Sequence, residues 1–435
     1  MKLVVKQTLQ LKGQVTPPSS KSQSIRAIIL TTMCNGESVL TNILHSDDTR
    51  DAIQACRSFG VDISESKNSL TVSSMGLPFD IQSREVHSGN SGITTHFIMP
   101  MLGLRKEANQ PIILNCSEQM RERPIKSLVE ALKNLGMKIH YLENENKLPI
   151  SISGKLTGGK TYVDGITSQY LSALLFALPC AECDSEIKVK NLQERSYVEM
   201  TLNWLKDQDI QLDYFSAGDI DTYQIKGKQK YKKFHATIPG DFSSASYLIA
   251  AGVLVPGEIT LGGLNMADAQ GDKKLITILQ EMGADIVVEP SHIRVRGGKK
   301  LSGIKIDAND IPDLLPVLSV IGAHASGKTE IYNVAHARIK ETDRIFSMAA
   351  GLRLMGAKIK EKEDGLTIYQ SQLRGANVKG YGDHRTVMAL SIAGMIAEGK
   401  TVIDDSEAIN KTFPTFVSMM KSIGAKMEVE DGISA

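Results

Sequence analysis

At 435 residues, the chain is too long for one ordinary hydrophobic core, so we expect two domains. Its hydrophobic content of 42% and charged content of 23% are typical of globular proteins and exclude a largely disordered chain. The net charge of +1 argues against a general nucleic-acid or membrane surface, and no apolar run approaches the ~20 residues of a membrane span. Five cysteines make no disulfide framework at this length, and the N-terminus lacks a signal-peptide pattern. We therefore expect a soluble cytoplasmic protein.

One pattern recurs along the chain: an amphipathic helix, a glycine and a short alternating strand. A residue that ends a helix often adopts a left-handed conformation, which glycine tolerates best. The repeats are spaced by about 73 residues, too long for leucine-rich or WD repeats. The positions that we predict as helix C-caps are Gly60, Gly136, Asp209 (a degenerate copy), Gly283, Gly356 and Gly424.

A second, more apolar helix precedes each of these by one strand. A helix that is apolar on most faces has to be buried, so we expect these helices inside and the sheets and amphipathic helices outside. Each repeat therefore consists of a strand, an apolar helix, a strand, an amphipathic helix and further short strands. The apolar helices are predicted to begin near Ser22, Ser91, Thr167, Phe242, Ile311 and His384.

Six repeats divide naturally into two domains of three. The basic polar segment 226–239 is the expected crossing between them. We assign residues 13–238 to the first domain, and residues 1–12 with 239–435 to the second. The first apolar helix needs a strand in front of it, and residues 8–12 are predicted to supply it.

The starts of the apolar helices carry glycine, hydroxyl and charged groups. A helix N-terminus exposes unpaired N–H groups and a partial positive charge, and therefore favours anions. Loops ahead of the amphipathic helices add cationic side chains. Together these features predict binding of polyanionic small molecules, and carboxylates among the cations are candidates for proton transfer. The cations are Lys21, Arg26, Arg121, Arg123, Arg195, Lys340, Arg344 and Lys411, and the carboxylates are Asp313 and Glu341.

Residues 322–329 match the phosphate-binding pattern G-x-x-x-x-G-K-T. That pattern binds phosphate only where a strand precedes it and a helix follows it. Here an apolar helix precedes it and a strand follows, so we predict an ordinary turn.

Six motifs stand out along the chain: Ser20-Lys21-Ser22 with Arg26, Gly89-Asn90-Ser91-Gly92, Arg121-Glu122-Arg123-Pro124, Ile339 to Arg344, Asp383-His384-Arg385 and Lys411-Thr412-Phe413-Pro414. Together they resemble the EPSP synthase (3-phosphoshikimate 1-carboxyvinyltransferase) family, in the right order over essentially the whole chain. The resemblance implies an α/β fold of two inside-out α/β barrel domains. Each domain would have three βαβαββ repeats with buried parallel helices, and the active site would lie in the interdomain cleft.

The same resemblance implies that the enolpyruvyl group of phosphoenolpyruvate is transferred to the 5-hydroxyl of shikimate 3-phosphate with release of phosphate. It implies a monomer that needs no metal or organic cofactor and binds neither nucleic acid nor membrane. The implied catalytic residues are Asp313, Glu341, Lys21 and His384. The implied contacts of shikimate 3-phosphate are Lys21, Ser22, Arg26, Thr167, Ser168, Gln169, Arg195, Asp313 and Lys340. The implied contacts of phosphoenolpyruvate are Lys21, Gly92, Arg123, Gln169, Arg344, Arg385 and Lys411.

The chain departs from the common family pattern at several positions. Glu194 stands where many members have a serine that binds the phosphate, and Arg195 is then the alternative phosphate contact. His96 stands where an arginine is usual, and Ile93 where a threonine is usual.

Three other functions remain open from the sequence. UDP-N-acetylglucosamine 1-carboxyvinyltransferase shares the fold and the chemistry, but the Lys340 to Arg344 and Asp383 to Arg385 motifs match the shikimate branch. A catalytically silent phosphometabolite-binding protein would not need Asp313, Glu341 and Lys411. A kinase that uses residues 322–329 ranks last.

Overall fold

The computed structural model describes residues 1–430, which form two compact units. The continuous unit is Lys21–Ile238, and the split unit combines Met1–Ser20 with residues 239–430. Residues 13–20, which the sequence analysis assigned to the first domain, belong to the split unit. The reason is that β2 (Leu11–Val15) pairs in parallel with β15 (Gly257–Gly262) of that unit.

The continuous unit contains three four-stranded sheets with the same topology. In each sheet the first two strands are parallel and the other pairings are antiparallel. The strand orders are β14 (His235–Thr237), β3 (Asn35–Thr41), β5 (Ser69–Met75), β4 (Asp62–Glu65); then β6 (Glu85–His87), β7 (Ile112–Asn115), β9 (Ile150–Ser153), β8 (Lys138–Tyr141); and β10 (Gly159–Asp164), β11 (Ser185–Lys190), β13 (Ile220–Ile225), β12 (Leu212–Ala217).

The split unit repeats this topology in three further sheets. The N-terminal strand β1 (Lys2–Lys6) lies between two strands from the end of the chain and is antiparallel to both. The strand orders are β2, β15, β17 (His292–Gly297), β16 (Asp285–Val288); then β18 (Lys305–Asp307), β19 (Lys328–Tyr332), β21 (Gly365–Tyr369), β20 (Lys358–Lys362); and β22 (Asn377–Val378), β23 (Lys400–Ile403), β1, β24 (Met427–Glu430).

Each repeat contributes one deeply buried helix, and the helix Phe242–Leu254 is buried along its whole length. The buried helices are α1 (Lys21–Met33), α3 (Gly92–Met101), α6 (Ser168–Ala177), α8 (Phe242–Leu254), α10 (Leu315–His324) and α12 (His384–Ile396). The remaining helices are α2 (Asp47–Arg57), α4 (Glu118–Arg121), α5 (Lys126–Asn134), α7 (Arg195–Asp207), α9 (Lys274–Glu281), α11 (Arg344–Leu354) and α13 (Phe416–Ser422). Short 3₁₀ helices span Leu102–Leu104, Leu178–Cys180, Gly271–Lys273, Pro312–Leu314, Ala335–Ile339 and Ser406–Lys411.

The buried helices begin within a few residues of the predicted positions, and the inside-out α/β fold is confirmed. Each unit has its own hydrophobic core, in which the apolar side chains of these helices meet the inward side chains of the strands. A helix that is apolar on most faces can bury all of them only when it is surrounded. The repeating pattern of the sequence therefore sets this arrangement.

The predicted helix C-caps have the left-handed conformation that the pattern required. Gly136, after α5, has a φ of +101°, and Asp209, the degenerate copy after α7, has a φ of +56°. Aspartate tolerates this region better than most residues with a side chain, which explains how the repeat survives without glycine.

The strand predicted at residues 8–12 is wrong in both its bounds and its partner. Leu11 and Val15 of β2 are buried in the core of the split unit. The first sheet of the continuous unit instead takes β14, whose residues 235–237 run parallel to β3. Strand pairing between distant segments depends on where the side chains are buried, and sequence order does not reveal it.

Within residues 1–430, no helix has the length and apolar character that crossing a membrane would require. In the same residues, no group of three or more His, Cys, Asp or Glu side chains is placed to hold a metal ion.

Two glycines that begin strands offer a matched test of the fold. Gly257 has a φ of +129° and Gly159 a φ of +126°, so alanine strains both backbones similarly, by roughly 1–3 kcal/mol. A methyl group on Gly257 would lie 1.9 Å from the carbonyl oxygen of Leu11, whereas one on Gly159 meets no atom within 4 Å. We expect Gly257→Ala to lower the melting temperature clearly more than Gly159→Ala, because it also forces β2 and β15 apart. Equal melting temperatures in a thermal unfolding experiment would contradict the close approach.

Candidate active site

The guanidinium of Arg344 is the centre of a buried charge cluster in the split unit. Arg344 is the first residue of α11 and only 1% of its side chain is exposed. Its three nitrogens donate to Asp313 Oδ1 at 2.6 Å, Glu341 Oε2 at 2.6 Å and Asp383 Oδ2 at 2.8 Å. Burial lowers the pKa of Arg344, but Asp383, Glu341 and Asp313 more than offset this and raise the pKa above its ordinary value. Arg344 is therefore permanently charged and holds three carboxylates in fixed positions.

Asp313 is shared between two arginines. Its Oδ1 accepts from Arg344, and its Oδ2 accepts from Arg385 Nη2 at 2.6 Å. It lies in the 3₁₀ helix Pro312–Leu314, just before buried helix α10, and 16% of its side chain is exposed. Charge-assisted hydrogen bonds of this kind are short and directional. The carboxylate is thus oriented by both arginines while it keeps access to solvent.

The other predicted residues of the split unit lie at or next to the ends of helices. His384 begins α12 and is fully buried, with Nδ1 3.7 Å from Asp383 Oδ1. Lys340 follows the 3₁₀ helix Ala335–Ile339 and is half-buried, and Lys411 ends the 3₁₀ helix Ser406–Lys411 and is buried. Direct contacts thus join Asp313, Glu341, Arg344 and Arg385, whereas the roles of His384, Lys340 and Lys411 stay predictions.

Asp272 is a buried carboxyl group that the sequence analysis missed. It accepts a hydrogen bond from the Ser243 hydroxyl, and its Oδ1 has no hydrogen-bond partner among the described residues. Burial, and then the charge of Asp313, raise the pKa of Asp272 to about 7. Asp272 precedes α9, the place in its repeat where other repeats carry Arg123 or Lys340. Its position just before α9 in the repeat is the sequence signal that points to Asp272.

In the continuous unit, Lys21 begins α1 and is paired with an acid that the sequence analysis also missed. Lys21 Nζ lies 3.0 Å from Asp48 Oδ2, and both side chains are largely buried. Asp48 is in the first turn of α2, where a negative charge is favoured by the helix dipole. Lys21 is therefore held in place by the second helix of its own repeat.

Three residues predicted to bind phosphoenolpyruvate lie side by side in the continuous unit. A methyl group on Gly92 would lie 2.4 Å from Arg123 Nη1 and 3.3 Å from Gln169 Oε1. A side chain at this position would force the guanidinium of Arg123 to move. His96 Nδ1 is 2.7 Å from Gln169 Oε1, so the histidine orients the amide of Gln169.

Arg26 is more deeply buried than its predicted role in substrate binding suggested. Its three guanidinium nitrogens donate to Thr201 Oγ1, the Ser22 carbonyl and the Tyr197 carbonyl, each at 3.0 Å. Burial lowers the pKa of Arg26 to about 10, so it remains charged at neutral pH. These bonds join α1 to α7, and any contact of Arg26 with substrate stays a prediction.

The start of α6 is occupied by the carboxylate of Glu194. Glu194 Oε2 accepts from the Ser168 hydroxyl at 2.7 Å, the Ser168 amide at 3.1 Å and the Thr167 hydroxyl at 3.4 Å. Arg195, the alternative phosphate contact, instead donates to Asp221 Oδ2 at 2.7 Å. Thr167 and Ser168 thus donate to a carboxylate of the protein, and their contact with substrate stays a prediction.

Comparison with known proteins gives one consistent result. A family model described as EPSP synthase (3-phosphoshikimate 1-carboxyvinyltransferase) matches residues 5–420. A relative named 3-phosphoshikimate 1-carboxyvinyltransferase from Acetivibrio thermocellus is 42% identical over 413 residues, covering 95% of this chain and 96% of the relative. A protein of the same name from Methanocaldococcus jannaschii is 39% identical, covering 98% and 99%. A solved structure of EPSP synthase from Acinetobacter baumannii has a TM-score of 0.82 and 25% identity, covering 99% of this chain and 100% of that chain.

The raised pKa of Asp272 predicts a pH-dependent stability. Because the pKa rises from 3.8 to about 7 on folding, the stability from this proton is complete below about pH 4 and is lost as pH rises through about 7. Asp272→Asn cannot ionise, so this loss of stability with rising pH disappears, and the amide oxygen can still accept from Ser243. Between pH 4 and pH 7 we expect the free energy of unfolding of the variant to rise relative to the wild type, by about 1.4 kcal/mol for each pH unit. Its melting temperature should rise with it.

Glu281→Gln is the matched control, because Glu281 is exposed at the end of α9. Its melting temperature should follow that of the wild type at every pH. A difference between Asp272→Asn and the wild type that stays constant from pH 4 to pH 8 would contradict the raised pKa.

Proposed function

The chain belongs to the EPSP synthase family, and from this premise we propose that it catalyses the shikimate-pathway step that the family name describes. The enolpyruvyl group of phosphoenolpyruvate is transferred to the 5-hydroxyl of shikimate 3-phosphate, and phosphate is released. The cluster in which Arg344 and Arg385 hold Asp313 is the observation that supports this most directly. It combines cations for a phosphorylated acid with a carboxylate positioned for proton transfer.

We propose that the guanidinium groups and lysines bind the anionic groups of phosphoenolpyruvate. Arg123 lies against Gly92 and Gln169, and Arg344 and Arg385 are held by carboxylates. Prearranged cations stabilise developing charge without reorganisation during the reaction. The proposed phosphoenolpyruvate contacts are Lys21, Gly92, Arg123, Gln169, Arg344, Arg385 and Lys411.

Shikimate 3-phosphate is proposed to bind at the start of α6 and near Lys21. Thr167 and Ser168 supply hydroxyl donors there, and the helix N-terminus favours a phosphate. The proposed contacts are Lys21, Ser22, Arg26, Thr167, Ser168, Gln169, Arg195, Asp313 and Lys340.

The addition step requires two proton transfers in opposite directions. The methylene carbon of phosphoenolpyruvate gains a proton, and the 5-hydroxyl loses one as its oxygen attacks C2. The tetrahedral intermediate then loses phosphate from C2 and a proton from the methyl group, which restores the double bond. We propose Asp313 and Glu341 for these transfers, with Lys21 and His384 close by. We also propose that the protein acts as a cytoplasmic monomer and needs no metal or organic cofactor.

Phosphate release is the direct test of this function. The purified protein should release phosphate with shikimate 3-phosphate plus phosphoenolpyruvate, and not with either alone. Lys328→Ala should leave the rate unchanged, because residues 322–329 join the end of α10 to the start of β19, whereas a kinase phosphate loop joins a strand to a following helix. Release with UDP-N-acetylglucosamine instead would assign the protein to the related branch, and binding of both ligands without release would indicate a silent binding protein.

Amide variants of the two carboxylates test proton transfer. Asp313→Asn and Glu341→Gln keep the shape and one acceptor for Arg344 but cannot take up a proton. We expect kcat to fall by ~10²–10⁴-fold with a smaller change in the KM of shikimate 3-phosphate, because a proton-transfer group acts mainly in the transition state.

Asp383→Asn is the comparison variant, because Asp383 contacts the same guanidinium and is not proposed to transfer a proton. It should lower kcat far less than the other two. If all three variants lowered kcat equally, the common cause would be the loss of one negative charge beside Arg344, and proton transfer by Asp313 and Glu341 would be rejected.

A further inference from the structure

The carboxylate of Glu194 lies among the hydrogen-bond donors that are proposed to bind the substrate phosphate. It precedes α7, is 2% exposed and has a left-handed backbone conformation, with φ of +57°. Its carboxylate accepts from both the hydroxyl and the amide of Ser168, and from the hydroxyl of Thr167. The mechanism proposed above gives this carboxylate no role.

A carboxylate and a phosphate cannot use these donors together. Ser168 has one O–H and one N–H to donate, and the same carboxylate oxygen accepts both. A phosphate brought to the start of α6 would also be repelled by the negative charge beside it, and burial weakens the screening of that repulsion. A serine in place of Glu194 could donate to the phosphate, whereas an ionised glutamate only accepts.

Nearby cations have carboxylate or hydrogen-bond partners of their own in the same unit. Arg195, next in sequence, donates to Asp221, and Lys21 is paired with Asp48. Arg26 feels the charge of Glu194, but its three guanidinium nitrogens donate to Thr201, Ser22 and Tyr197. The start of α6 therefore already holds one carboxylate of the protein.

We propose that Glu194 is a built-in competitor for the phosphate of shikimate 3-phosphate, and that its carboxylate has to leave Ser168 and Thr167 before the phosphate binds. This inference rests on the proposed function and adds a residue that lowers the affinity for the phosphorylated substrate. The phosphate group then contributes less to binding than the donors at α6 would otherwise allow. Shikimate without its phosphate should not be affected.

Two variants separate charge from shape. Glu194→Gln keeps the shape and removes the charge, and Glu194→Ser removes both and supplies a hydroxyl donor. We expect both to lower the Kd of shikimate 3-phosphate in calorimetric titration by at least about tenfold. The Kd of shikimate should change by less than about twofold, and inorganic phosphate should follow shikimate 3-phosphate. Glu199→Gln, an exposed acid on α7, is the control and should behave as the wild type.

An unchanged or higher Kd of shikimate 3-phosphate in the folded variants would overturn the proposal. Tighter binding by Glu194→Ser but not by Glu194→Gln would also overturn it, because the cause would then be the new hydroxyl. Should the variants fail to fold, a crystal structure of the wild type with shikimate 3-phosphate decides. The contact of 2.7 Å between Glu194 Oε2 and Ser168 Oγ should be broken there, and an intact contact refutes displacement.

Phosphate release by the wild type is measured first, so that two failures are distinguished. A wild type that turns over substrate while its Glu194 variants bind no more tightly retains the proposed function and loses this inference. A wild type that neither binds shikimate 3-phosphate nor releases phosphate loses the proposed function. The titration with inorganic phosphate still tests Glu194 in that case, and equal Kd values for wild type and variants would reject its role.

Discussion

The split unit depends on one buried guanidinium that cannot lose its charge. Removing Arg344 from water is costly, and the three carboxylates around it offset that cost by direct, short hydrogen bonds. Each of these carboxylates begins or precedes a helix: Asp313 before α10, Glu341 before α11 and Asp383 before α12. The ion cluster therefore fixes the starts of three helices relative to one another, and the packing of the apolar helices positions the cluster in turn.

In the continuous unit, cations and a helix start are likewise paired with carboxylates of the protein. Lys21 is held by Asp48, Arg195 by Asp221, and the start of α6 by Glu194. Polar groups that are prepared for anions are thus balanced by carboxylates of the protein, which keeps buried charge compensated. Substrate binding at such a site is an exchange of one set of ionic contacts for another. Its affinity reports the difference between them and not the sum of the new contacts.

The sequence predicts what is local and periodic. Helix C-caps such as Gly136 and Asp209 follow from backbone conformation, and the buried helices follow from side chains that are apolar on every face. Pairing between distant segments could not be predicted in this way, because nothing near Leu11 indicates that its strand partner begins at Gly257. Buried acids such as Asp272 were not identified from the sequence, for a different reason. Their importance comes from burial and from neighbours in space, which a linear pattern of charges does not show.

The position of β1 determines when the split unit can be completed. Residues 2–6 are synthesised before every other strand of their sheet, yet they pair with β23 and with β24, which ends at Glu430. The continuous unit has all of its strands once residue 237 has been made. A growing chain can therefore fold Lys21–Ile238 while its N-terminal strand still lacks both neighbours. During that interval β1 is an unpaired, apolar strand, and contacts of such long sequence separation form slowly. Biogenesis of this protein thus depends on keeping β1 unpaired until β23 and β24 have been made.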